Sequence, residues 1–121
     1  MPDRKKQYDL EERTALFGQA VLIFCQELRP TIITKPLISQ IVRSATSIGA
    51  NYQEANGASS EKDFRYKIHI CKKEAQETKH WLRMFVVSAP EKVDDINVLL
   101  DECQQLVWIF QKITSTLNNK N

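Results

Sequence analysis

Apolar positions recur every three or four residues in four successive stretches of the chain, the period that lines up one face of an α-helix. Phe17, Val21, Phe24 and Leu28 form the first such face. Leu37 or Ile38, Ile41, Ala45, Ile48, Tyr52 and Ala55 form the second. In the third, Phe64, Ile68, Cys71, Ala75, Thr78, Leu82 and Phe85 alternate by four and three without a break. Ile96, Leu99, Cys103, Leu106, Phe110, Ile113 and Leu117 repeat the pattern in the fourth. The pattern predicts helices over about 10–28, 36–56, 61–88 and 94–117.

The residues between these stretches carry stop and start signals. Asp9 with Glu12 reads as a cap for the first helix, and acidic charge there suits the helix dipole. Pro30 falls in the first connection, Pro36 fits the opening turn of the second helix, and Gly57 reads as its stop. Ser60 and Asp63 make a capping pair for the third helix, and Pro90 ends it. Asp94 and Asp95 suit the start of the fourth, whose end lies near Lys112 and Lys120, with Asn118 to Asn121 expected to fray. Helices of this length joined by short connections run alternately up and down. The expected fold is therefore all-α, a single antiparallel up-down-up-down four-helix bundle spanning residues 1–121.

Composition agrees. The chain of 121 residues is 42% hydrophobic and 26% charged, within the ordinary globular range and one domain in size. Three glycines and four prolines are too few for the turns of a sandwich or barrel. The longest apolar run, Ala20 to Cys25, falls far short of a membrane span, and the charged start lacks the apolar stretch of a signal peptide. Cys25, Cys71 and Cys103 are widely spaced in apolar stretches, as expected for buried thiols in a reducing cytoplasm.

Two stretches hold more apolar surface than a bundle face requires, which is about three positions per heptad. Leu16, Ala20 and Ile23 form a second stripe on the first helix, with Leu22 between them. Leu100, Val107, Trp108 and Ile109 lie outside the main face of the fourth. A helix apolar nearly all round is buried on more than one side. Leu16, Ala20, Ile23, Leu100, Val107 and Trp108 are thus the expected contacts of a homo-oligomer; as scattered surface side chains they would be unremarked. Residues 61–83 hold seven bases against four acids, and 94–117 hold four acids against one base, so opposed charge could orient neighbouring subunits or neighbouring helices.

Catalytic and metal chemistry find little support. Glu77 and His80 match a Glu-x-x-His spacing, but a di-iron bundle needs two such copies and further inward carboxylates. No phosphate loop, HExxH or EF-hand pattern occurs, and no nucleophile triad is evident. The expectation is a protein that is not an enzyme and carries no cofactor and no metal. A basic stripe is better supported. Lys62, Arg65, His69, Lys72, Gln76, Lys79 and Arg83 follow one another by three and four, placing a cationic row of about 30 Å on the third helix. Such a row suits successive phosphates, and without interleaved aromatics it would grip backbone rather than bases. Arg65, Lys72, Lys79 and Arg83 are the first candidates for nucleic-acid contact, with Lys62, Arg43 and His69 behind them. As an alternative, the row is a solvated face tempered by Glu61, Glu74 and Glu77.

The segment from Arg43 to Ala55, RSATSIGANYQEA, is dense in small residues. Gly49 in a helix interior costs roughly 1 kcal/mol against alanine, which close approach of another backbone would offset. Ser47, Asn51 and Glu54 are spaced to share a face and to meet Glu74, Glu77 or Arg43 in a buried polar network that fixes helix register, or else to line a ligand site.

Together with SEKDF at Ser60 to Phe64, KEAQET at Lys73 to Thr78 followed by Trp81-Leu82, and the helix from Glu102-Cys103 to Ile113, this segment resembles a known family. It is the four-helix-bundle family first noticed as reading frames within intervening sequences of bacterial 23S ribosomal RNA genes. The resemblance implies a homopentameric ring with no established enzymatic activity. A related branch, the accessory variability proteins of diversity-generating retroelements, also forms pentamers and assists a reverse transcriptase by binding it and its RNA. Those relatives are strongly basic, and the net charge of +2 departs from them. The expected partners are further copies of the chain, RNA and a reverse transcriptase, with no membrane. The alternative expectation is a protein–protein scaffold that binds no nucleic acid.

Overall fold

The computed structural model describes the backbone of residues 2–119 and the side chains of residues 10–119. Four helices account for nearly all of it: α1 (Pro2–Gln26), α2 (Thr34–Asn56), α3 (Glu61–Ser88) and α4 (Val93–Asn118), with one 3-10 turn at Pro90–Lys92. No strand occurs among the described residues. α3 has the ends expected of it, and α4 is extended by one residue at each end.

The departures have local causes. α1 begins well before Asp9, so that residue lies inside the helix and does not cap it; the Asp9 side chain is outside the described residues. α1 closes at Gln26, two residues early, but Leu28 remains buried, its N–H bonded to the Cys25 carbonyl at 3.1 Å. α2 starts at Thr34, and Thr31 forms the cap one turn ahead, its hydroxyl accepting the N–H groups of Ile33 at 3.2 Å and Thr34 at 3.0 Å. Gly57 closes α2 at φ −96°, a conformation open to any residue. Ser60 Oγ accepts the Asp63 N–H at 3.0 Å, as its spacing predicted. Lys120 and Asn121 lie outside the described residues.

The inner faces meet as the periodicity requires. Val21, Ile41, Ala45, Ile48, Ile68, Cys71, Ala75, Leu82, Phe85, Ile96, Cys103, Leu106 and Phe110 are fully enclosed. α1 packs on α2, α2 on α3, α3 on α4, and α4 returns to α1. The diagonal pairs meet through aromatic rings: Phe24 of α1 stands edge-on to Phe85 of α3 at 5.4 Å, and Tyr52 of α2 lies 6.3 Å from Phe110 of α4.

Small residues set how closely α1 and α2 approach. A Cβ at Gly49 would stand 3.2 Å from Thr14 Oγ1, and one at Gly18 would stand 3.6 Å from the Ala45 carbonyl oxygen. The close approach inferred from Gly49 is real, and its neighbour is α1.

Candidate nucleic-acid interface

The cationic stripe of α3 divides into two lines. Arg65, Lys72 and Lys79, seven residues and about 10.5 Å apart along the helix, lean across to α4 and are half-buried. Lys62, His69, Gln76 and Arg83, also seven apart, point outward and are exposed.

The inner line is tethered, and its members differ in kind. Lys72 Nζ donates to Gln111 Oε1 at 2.9 Å, and Lys79 Nζ donates to Gln104 Oε1. Both acceptors are neutral amides, so the ammonium groups are held in place without being neutralised. Arg65 is placed otherwise. Its Nη2 donates to the Leu117 carbonyl at 3.2 Å, setting a cation at the C-terminal end of α4, which has no base in its own last turn. That packing reduces Arg65 as a phosphate contact. Of the acids of α4, Glu102 is gripped by Arg13 through two bonds of 2.7 Å, while Asp94, Asp95 and Asp101 are exposed. No ion pair joins α3 to α4 among the described residues.

Arg43, the candidate on α2, is exposed but already engaged by acids. Its guanidinium bonds Glu74 at 3.0 Å and also Glu77, and the Arg43 bond holds the Glu77 carboxyl below the usual range. A cation between two carboxylates has little left for a phosphate.

The polar network anticipated on α2 is likewise divided. Glu74 and Glu77 do meet Arg43. Ser47 Oγ instead donates to the Arg43 carbonyl of its own helix at 2.6 Å, Asn51 Nδ2 donates to the Ser47 carbonyl at 2.8 Å, and Glu54 pairs with Lys67 at 2.8 Å. A buried bond between polar side chains of α2 and α3 is one that sequence reasoning missed. Thr78 Oγ1 donates to Ser44 Oγ at 2.8 Å, and both residues are fully enclosed. Thr78 stood in the apolar period of α3, which was the available signal; Ser44 stood one residue before Ala45 in that of α2.

The anticipated oligomer contacts separate by exposure. Leu16, Ile23 and Trp108 are each more than half exposed. Ala20 and Leu100 pack partly on the core, and Val107 is buried within it, because α4 presents a wider inner face than its main seam. Val107 is thus corrected to a core residue.

An open depression of about 470 Å³ lies between α1 and α2, with Glu11 and Glu12 on its rim and no cation among its lining residues. The three thiols are buried and unpaired; burial pushes Cys25 up to about 11 and Cys71 and Cys103 up to about 12, so they stay protonated. No cluster of three His, Cys, Asp or Glu side chains suited to a metal occurs among the described residues. No helix among them is long and apolar enough to cross a membrane.

The profile of the family described as 23S rRNA-intervening sequence protein matches residues 10–112. The chain belongs to that family. A solved structure from Bacteroides thetaiotaomicron VPI-5482, described as a protein with unknown function from the S23 ribosomal protein family, superposes with a TM-score of 0.77 at 26% sequence identity. The match covers 86% of this chain and 96% of that one. No curated protein matches.

Proposed function

We propose that this intervening-sequence-family chain is a non-enzymatic, homo-oligomeric helical bundle that binds RNA or a ribonucleoprotein partner in the cytoplasm. The observation that carries the reading is the pairing of Lys72 and Lys79 with glutamines. Two ammonium groups about 10.5 Å apart, fixed in position yet electrostatically unsatisfied, form a pre-set track for phosphates. Lys62, His69 and Arg83 extend it outward on the same helix. A reverse transcriptase is one candidate for the protein part of such a partner, on the family resemblance alone.

Native gel shifts with a structured RNA at two salt concentrations test this. Reversing charge in the double variant K72E/K79E is expected to weaken retention and to lower the slope of log K against log salt by roughly 1.4–1.8, the counterion release of two phosphate contacts. Unchanged retention and slope in a folded double variant would remove α3 from the account.

The helices are read as an antiparallel up-down-up-down bundle. Partners on α3 fall in number as those on α2 rise, from Arg43 with Glu77 to Glu54 with Lys67. The exposed Leu16 and Ile23 of α1 and Trp108 of α4 support assembly of such bundles into a ring, a pentamer by the same resemblance. Light scattering should then give several times the chain mass of 14.0 kDa, and Leu16→Glu with Ile23→Glu should reduce it. These apolar side chains also favour the second reading, a protein–protein scaffold, which predicts no salt-sensitive RNA shift at all.

A further inference from the structure

One end of the bundle holds large aliphatic side chains in water. The Phe24–Phe85 ring contact and the Lys92–Glu27 ion pair bring the α1–α2 and α3–α4 connections to this same end. Ile32 and Ile33, in the first connection, are 89% and 61% exposed. Val87, at the end of α3, is 84% exposed, and Val93 opens α4 partly exposed. Single surface aliphatics are ordinary, but four at two adjoining corners make a patch of the kind that marks an interaction site.

The isoleucine corner is stiff. Thr31 N–H donates to Thr34 Oγ1 at 2.8 Å, Thr34 N–H returns a bond to Thr31 Oγ1 at 3.0 Å, and the Thr34 hydroxyl donates to the Arg29 carbonyl at 2.8 Å. This reciprocal clamp fixes the backbone that presents Ile32 and Ile33. Little conformational freedom then remains to be lost when the corner is covered.

Charge indicates what covers it. Arg29 and Lys35 flank the isoleucines, exposed and in no ion pair among the described residues. Glu91, Asp94 and Asp95 flank Val93 and are equally exposed and unpaired. Glu27 and Lys92, joining the two corners, neutralise each other at 3.4 Å. A surface with exposed aliphatic side chains at both corners, basic at one and acidic at the other, complements itself after half a turn.

We propose that this end of the bundle pairs with the same end of a second copy about a two-fold axis. Ile32 and Ile33 of each copy seat on Val87 and Val93 of the other, and Arg29 and Lys35 face Glu91, Asp94 and Asp95. Such a contact closes on itself, and each pair contains the corner-on-corner junction twice. The opposed charges set its orientation and suppress the unrotated arrangement, which would put like charges together. The pairing is separate from ring formation: single chains would pair to two, and rings would pair ring to ring.

Sedimentation of the full chain tests this as a ratio of masses, into which the number of copies in a ring does not enter. The variant I32D/I33D is expected to have half the wild-type mass with an unchanged helical circular dichroism spectrum, since neither side chain contributes to the core. R29E/K35E should halve the mass as well. Adding E91K, D94K and D95K to R29E/K35E should restore the doubled mass, because both corners are then inverted. Wild-type mass retained in both I32D/I33D and R29E/K35E would overturn the pairing. Failure of the ring alone would change every absolute mass and leave the ratio of two intact.

Discussion

Truncating Phe85 to alanine is expected to lower stability to urea by about 3–5 kcal/mol, the usual cost of deleting a large buried aromatic side chain. Phe85 is wholly enclosed, and its ring meets Phe24 edge-on across the diagonal of the bundle. Loss of that ring leaves a cavity among fully enclosed core side chains, which can relax into it only in part. A domain with about 5–15 kcal/mol in total would lose a large part of its margin. Phe24→Ala in a double-mutant cycle should show a coupling of about 0.5–1.5 kcal/mol, the share specific to the ring pair. Val98→Ala, on the exposed side of α4, should stay within about 0.5 kcal/mol of wild type. Equal effects at positions 85 and 98 would show that the diagonal contact does not hold the bundle together.

Replacing Arg43 by methionine should cost about 1–3 kcal/mol at neutral pH, because it removes the cation from a carboxylate that the fold has taken out of water. Glu74 is only 8% exposed, and its neighbour Glu77 shares the same guanidinium. The loss should depend on pH in a defined direction. Hydrogen bonding from Arg43 holds the folded Glu77 carboxyl below its ordinary value of 4.5. The unfolded chain therefore takes up that proton first as the solution is acidified. The stabilisation is fully present above the ordinary glutamate range and disappears as pH falls through the depressed folded value. Urea denaturation at a series of pH values should find the gap between wild type and R43M widest near neutrality and narrowing as pH falls below about 4.5. A gap independent of pH would mean that Arg43 acts through the packing of its aliphatic stem alone.

The position of Arg43 also indicates why the candidate site was only partly legible. The three-and-four spacing from Lys62 to Arg83 placed these side chains on one broad side of α3. Periodicity gives an angle around the helix axis, however, and an angle becomes an environment only when a neighbouring helix is fixed beside it. α4 divides the stripe, drawing Arg65, Lys72 and Lys79 toward it and leaving Lys62, His69 and Arg83 outward. The same ambiguity affected Val107, one residue from Leu106, which lies near enough to the seam to be buried once α1 and α3 close around α4. Ser47 and Asn51 illustrate a different failure, since short polar side chains on a helix can satisfy themselves on the carbonyl four residues back and need no distant partner.

The order and kind of the four helices, their inner faces and the burial of the three thiols follow from hydrophobic periodicity and the placement of proline. These are properties of neighbours along the chain, and burial of one apolar face per helix is strongly enough favoured to impose them. Only the folded arrangement decided which partner each polar side chain takes. Thr78 bonds Ser44, Arg43 bridges two glutamates, Lys72 and Lys79 find glutamines, and Ile32 and Ile33 are left in water at a corner held by Thr31 and Thr34. Such pairings depend on the register and rotation of one helix against the next. Those are set by the packing of the whole core, and no short stretch of sequence records them.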